Sequence, residues 1–206
     1  MIPCAPVGMA LPGLHGARRI ALTDDGGGVA TALVAELGRR GLPAEVLAEV
    51  PPDADAVVLL DGLAPLSSPD DAAAAARAAF RGARSVARRF EERGGAFVTV
   101  QDSGGDFGMG GRDASRAWIA GLAALGRTAA REWPKAAVKV IDCARGGRSA
   151  AEIAAALADE LLQGGATLEV GLREDGARSA VEAACAPDPE ARPKHASELA
   201  AALREV

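Results

Sequence analysis

Short runs of β-branched and other apolar residues alternate along this chain with long Ala-rich stretches of helical period. That alternation is what βα units on a mostly parallel sheet require, so it restricts the fold to an α/β layer architecture. The strand candidates are Arg19 to Thr23, Ala44 to Ala48, Ala56 to Asp61, Ala96 to Gln101, Ala137 to Asp142 and Thr167 to Leu172. Most are near-continuous apolar runs, as strands covered on both faces should be. With 206 residues, 49% of them apolar, there is one domain's worth of core. Aromatics supply only 3% of the chain and tyrosine is absent, so Ala, Val and Leu must fill that core.

The helices carry start and stop signals. Ser68-Pro69-Asp70-Asp71 sets a cap, a first-turn proline and acids ahead of a stripe expected to run through Phe80, Ala83, Ala87 and Phe90. Asp113 is placed to cap a helix with Trp118, Leu122, Leu125 and Ala129 inward, and Trp133-Pro134 ends it. Ser149 to Glu152 is a capping box with Ile153 and Leu157 behind it. A further helix spans about Val29 to Arg40 and stops at Gly41. The expected organisation is a linker or arm over residues 1–17, a Rossmann-like domain over 18–182, and a linker with a C-terminal helix over 183–206.

Between the second and third strand candidates lie only the residues from Glu49 to Asp55. A parallel crossover that includes a helix needs about 10 to 12 residues. No helix fits there, and the sheet is expected to be truncated on the side where a dinucleotide's adenine ribose would lie.

Charge and cysteine usage exclude several functions. A net charge of −5 leaves no clustered cationic surplus for nucleic acid. Cys4, Cys143 and Cys185 are far apart with no CxxC pair, which suits free thiols in the cytoplasm. No stretch approaches the about 18 apolar residues of a membrane span. His15 and His195 stand apart from other ligating side chains, so no metal site is expected.

Two segments are candidates for chemistry. Thr23-Asp24-Asp25-Gly26-Gly27-Gly28-Val29-Ala30 follows a strand and opens a helix, where dinucleotide folds hold a pyrophosphate on backbone N–H groups. Here Asp24 and Asp25 crowd the anion position, so Thr23, Asp24, Gly28 and Ala30 form a degenerate loop expected to bind phosphate poorly. Glu49, about 20 residues beyond Gly28, stands where an acid would meet a ribose. The second segment is Arg112-Asp113-Ala114-Ser115-Arg116-Ala117-Trp118-Ile119-Ala120-Gly121-Leu122, followed by Arg131-Glu132-Trp133-Pro134 and Val138-Lys139-Val140-Ile141-Asp142. It resembles the YxASKAAxxGL…ELxxxxIRVN region of short-chain dehydrogenases/reductases.

In that family a tyrosine gives the substrate its proton and a lysine four residues on lowers the hydroxyl pKa and binds the nicotinamide ribose; Arg112 and Arg116 stand at those positions. A guanidinium stays protonated and cannot replace a phenol as an acid matched to neutral pH. Ser103, or Asp102 beside it, maps to the family's serine and cannot run the reaction alone. Thr23-Asp24-Asp25-Gly26, the strand Val57 to Gly62, Arg127 to Pro134 and Glu169 to Arg173 are similar to the structural subdomain of ketoreductases in polyketide and polyunsaturated fatty acid synthases. That resemblance implies a noncatalytic, pseudoenzyme half with no cofactor of its own. Its partner would be a ketoreductase catalytic subdomain, or another synthase domain, with NADPH bound in the catalytic half. The alternative is a free-standing NAD(P)-dependent reductase whose proton donor is Arg112 or Asp113. The loop Gly104 to Gly111 is expected to replace the family's substrate loop without a ligand of its own.

Overall fold

A computed structural model describes residues 1–111 and 114–181. The strands are β1 (Ile2–Pro3), β2 (Ile20–Leu22), β3 (Ala44–Val46), β4 (Ala56–Gly62), β5 (Gly95–Gln101), β6 (Ala136–Cys143), β7 (Glu169–Leu172) and β8 (Arg178–Ala180). The helices are α1 (Val29–Arg39), α2 (Pro69–Arg93), α3 (Gly121–Glu132) and α4 (Ala150–Gln163), with a 3₁₀ turn over Ala114–Ala120 leading into α3. All the strands join one sheet in the order β1-β8-β7-β6-β5-β4-β2-β3. From β3 to β7 the pairing is parallel, and β8 and β1 close the far edge antiparallel.

The fold is therefore the open, mostly parallel α/β sheet that the alternation of runs requires. The truncation is also present: β3 is the sheet edge and residues 47–55 cross to β4 without a helix. The six candidate strands appear as β2 to β7 to within a residue or two at the ends, whereas β1 and β8 had no candidate in the sequence.

The core lies in two layers. On one face α1 and α4 pack over Ile20, Leu22, Val58, Leu60, Val98 and Ile141. On the other, α2 and α3 cover Val57, Leu59, Phe97 and Val138. Phe90, Phe97 and Trp133 meet edge to face at centroid distances of 5.1 to 6.4 Å and concentrate the aromatic content in this second layer. Small residues set the helix heights. A Cβ on Gly126 would stand 2.4 Å from Val140 Cγ2, so α3 reaches the sheet only because that side chain is missing.

Both capping boxes form, Ser68 with Asp71 and Ser149 with Glu152. Two expected stripes are corrected. On α2 the buried line is Ala79, Ala83, Val86 and Phe90, and Phe80, one residue round the helix, is 58% exposed. Before α3, residues turn with 3₁₀ rather than α pitch, which shifts the phase: Ile119 is buried and Trp118 is turned outward.

Residues 1–17, expected as an arm, are docked on the domain. Leu11 and Leu14 are buried in the first core layer, and β1 pairs with β8. Their apolar side chains supply the reason. The expected C-terminal linker and helix lie outside the described residues. Among the described residues, no helix is long and apolar enough to cross a membrane.

Candidate functional site

In open α/β sheets ligands bind beyond the C-terminal ends of the strands, where the order of connections reverses. Here that point falls between β2, which leads out to β3, and β4, which leads the other way. Thr23 at the end of β2 and Asp61 within β4 face each other across it. Thr23 Oγ1 donates to Asp61 Oδ2 at 2.6 Å and accepts from Leu60 N at 2.8 Å. Burial pushes the Asp61 carboxyl upward, against the downward pull of the Thr23 hydrogen bond. Thr23, Asp24, Glu49, Asp61, Arg81 and Ser85 line one cleft of about 380 Å³ at this point. The structure thus brings the predicted Thr23, Asp24 and Glu49 together.

The glycine loop beside the cleft is filled from within. Gly28, at φ 85°, precedes the first residue of α1, and the fully buried Asp25 folds back over the helix start. Its carboxylate accepts from Ala30 N at 2.9 Å and from Gly27 N at 3.1 Å. Asp24, by contrast, is exposed and closes a local turn by accepting from Gly26 N at 3.0 Å. Arg145 lies over the loop, with Nη1 3.4 Å from Asp25 Oδ2 and 2.6 Å from the Leu63 carbonyl. A Cβ on Gly27 would stand 2.6 Å from Arg145 Nη2, so the space above this glycine belongs to the guanidinium. Arg145 was not legible as a site residue, because it is 120 positions away from Asp25 in the chain.

The second candidate segment is also tied into the framework. Arg116 donates Nε to Asp102 O at 2.7 Å, Nη2 to Gly62 O at 2.9 Å and Nη1 to Ala64 O at 3.2 Å. One guanidinium therefore holds the carbonyl ends of β4 and β5 together. Ser103 Oγ accepts from Gln101 Nε2 at 3.0 Å, while Gln101 Oε1 accepts from Ala123 N at the start of α3. Asp142, buried at the end of β6, accepts from Ser103 N at 2.6 Å and Phe107 N at 2.5 Å. Burial raises its carboxyl above the usual carboxylate range, although those two N–H groups pull it down. Asp142 anchors the Gly104 to Gly111 loop. Its only sequence signal was an acid closing a mostly apolar strand. Arg112 and Asp113 lie outside the described residues.

Among the described residues no group of three or more His, Cys, Asp and Glu side chains is placed to hold a metal ion. Asp25, Asp142, Arg116 and Arg145 are already engaged with the chain's own backbone. Among the described residues, no proton-donating hydroxyl beside a lysine occurs at this edge.

No family model matches this chain, and no curated protein matches it either. Solved structures do. One is a multidomain structure of adenylation, ketoreductase and pseudo-Asub domains from a keto acid-selecting nonribosomal peptide synthetase module. It superposes with a TM-score of 0.56 at 14% identity, covering 88% of this chain and 18% of that one. The bulky-bulky ketone specific alcohol dehydrogenase of Comamonas testosteroni gives 0.54 at 15% identity, with 69% and 81% covered. The first ketoreductase of the tylosin polyketide synthase gives 0.52 at 20% identity, with 82% and 40% covered. The chain shares the short-chain dehydrogenase fold. It spans well under half the length of the two synthase chains, and most of the free-standing dehydrogenase.

Proposed function

We propose that this chain is a noncatalytic structural subdomain of a synthase ketoreductase. It would hold in place a partner half that carries out NADPH-dependent β-ketoacyl reduction in the cytoplasm. One observation carries the reading: two N–H groups of the glycine loop and the start of α1, those of Gly27 and Ala30, are taken by the chain's own Asp25 carboxylate, with Arg145 seated over the loop. Those are among the groups a pyrophosphate would use. The residues present do not fit a dinucleotide, and no step through one is assigned to them. Arg116 supports the same reading, since all three of its nitrogens are spent on backbone carbonyls.

A second reading, a free-standing NAD(P)-dependent reductase with atypical site residues, is favoured by the 81% coverage of the Comamonas testosteroni dehydrogenase. One experiment separates the two. NADPH is titrated into the purified chain while nicotinamide fluorescence is followed, and a β-ketoacyl thioester is then added. The scaffold reading expects no saturable binding and no oxidation of NADPH. Micromolar binding or turnover would overturn it.

A further inference from the structure

We propose that the outer face of α2 and the adjoining 3₁₀ turn is a docking surface for a helix bearing one apolar side chain per turn flanked by Asp or Glu. The inference rests on the scaffold reading and names the face on which such a partner would be held.

Phe80 and Trp118, 58% and 45% exposed, are large apolar side chains on neighbouring elements. Ala76 and Phe80 lie one α-turn apart on α2, and Trp118 and Gly121 one 3₁₀ turn apart where that turn meets α3. A Cβ on Gly121 would stand only 4.0 Å from Ala76 Cβ. Phe80, Ala76, Gly121 and Trp118 therefore form one continuous band, small in the middle and aromatic at both ends. Ala76, Arg77, Phe80 and Arg81 line a depression of about 390 Å³ at its α2 end, able to receive a side chain the size of leucine.

The charge around the band identifies the occupant. Arg77, Arg81 and Arg84 are all exposed on α2 and follow it at helical spacing. The ion pairs of α2 among the described residues are Arg88 with Glu92 and Arg89 with Asp55; Arg77 and Arg84 enter none. A chain of net charge −5 thus presents unpaired cations beside exposed aromatics. A second copy is a poor occupant, because a two-fold contact would set each arginine row against its equivalent. Carboxylates on either side of an apolar stripe complement it.

The test uses two synthetic helical peptides with the same leucine stripe, one flanked by Glu and the other by Lys. Their binding to the full chain is read by fluorescence anisotropy at low and moderate salt. The Glu peptide is expected to bind about tenfold more tightly than the Lys peptide and to weaken as salt rises. F80A and the double variant R77E/R84E are each expected to weaken it about tenfold, the scale of an interface anchor. All three positions are exposed, so thermal melts should not move. Equal binding of the two peptides, or no effect of F80A, would overturn the proposal. So would sedimentation showing that the chain dimerises and that F80A disperses the dimer. NADPH binding would sink the scaffold reading without touching the peptide result, so the two failures are distinguishable.

Discussion

The Asp25 carboxylate is the most exacting place to perturb this molecule. In Asp25→Ala the start of α1 loses both side-chain acceptors, the one for Gly27 N and the one for Ala30 N. An N-terminal cap of this kind is worth about 1–2 kcal/mol. The variant also loses a carboxylate 3.4 Å from Arg145, a side chain 28% exposed, and a partly wetted ion pair contributes about 0.5–1 kcal/mol. Together the cost is about 1.5–3 kcal/mol. At about 2–4 °C per kcal/mol for a chain of this size, the melting midpoint should fall by about 3–12 °C.

Asp25→Asn keeps the shape and one acceptor but sets an amide NH₂ against Gly27 N–H or Arg145, so about half the loss is expected. The pairing itself is isolated by a cycle with Arg145→Ala, in which the coupling should be about 0.5–1 kcal/mol. The ligand consequence is read separately. Inorganic pyrophosphate at millimolar concentration should raise the melting midpoint of Asp25→Ala and leave the parent chain unmoved, since only the variant frees the N–H groups of Gly27 and Ala30. A variant that melts within a degree of the parent, or a parent that pyrophosphate stabilises equally, would refute the idea that this carboxylate closes the loop.

Further outcomes follow from other sites. Desolvation pushes Asp55 upward, but the N–H groups of Arg18 and Arg19 and the Arg89 guanidinium prevail and hold it below the usual carboxylate range. Its stabilisation is full above the unfolded value of about 3.9 and is lost as pH falls through the lower folded value. The gap in urea midpoint between the parent and Asp55→Asn should therefore close only in strong acid. Burial pushes the Cys143 thiol up to about 11, so at pH 8 it should resist a thiol reagent until the chain unfolds, and peptide mass spectrometry reads the site. Gly126→Ala drives a Cβ to 2.4 Å from Val140 Cγ2 and should cost about 1–3 kcal/mol in a denaturant titration, despite alanine's better helix propensity. Glu160→Gln removes the one anion between the buried Lys139, at 2.5 Å, and Arg178, at 2.6 Å, and should cost about 3–5 kcal/mol by the same assay.

How much of this was written in the sequence depended on whether the cause was local. The strands β2 to β7, the Ser68 cap and the Ser149 capping box could be read because alternation, Ser-x-x-Glu spacing and proline act within one turn or one strand. The missing edge unit could be read for the same reason, as a count of residues between two runs. Trp118 and Phe80 were misplaced because a stripe read at one pitch is only as good as its phase, and a 3₁₀ turn or a shift of one residue rotates a side chain into solvent. Arg145 over the glycine loop and Lys139 beneath Glu160 and Arg178 left no local mark. Each is a long-range pairing that only the sheet order creates.

The same long-range pairings shape the backbone frame of the candidate site. Every backbone N–H and C=O at the C-terminal edge of the sheet needs a partner, from the chain, from water or from a ligand. Here Asp25 meets two of the N–H groups, Asp142 meets two more, and Arg116 meets three carbonyls. A ligand entering this edge would have to displace charged side chains that are buried or half-buried, and each one displaced without a new partner costs more than an ordinary hydrogen bond returns. Stability and binding are thereby set against each other at the same atoms. On the proposed scaffold reading, a half that stays rigid beneath a catalytic partner would resolve that opposition in favour of stability, with its own carboxylates and guanidinia as the means of doing so.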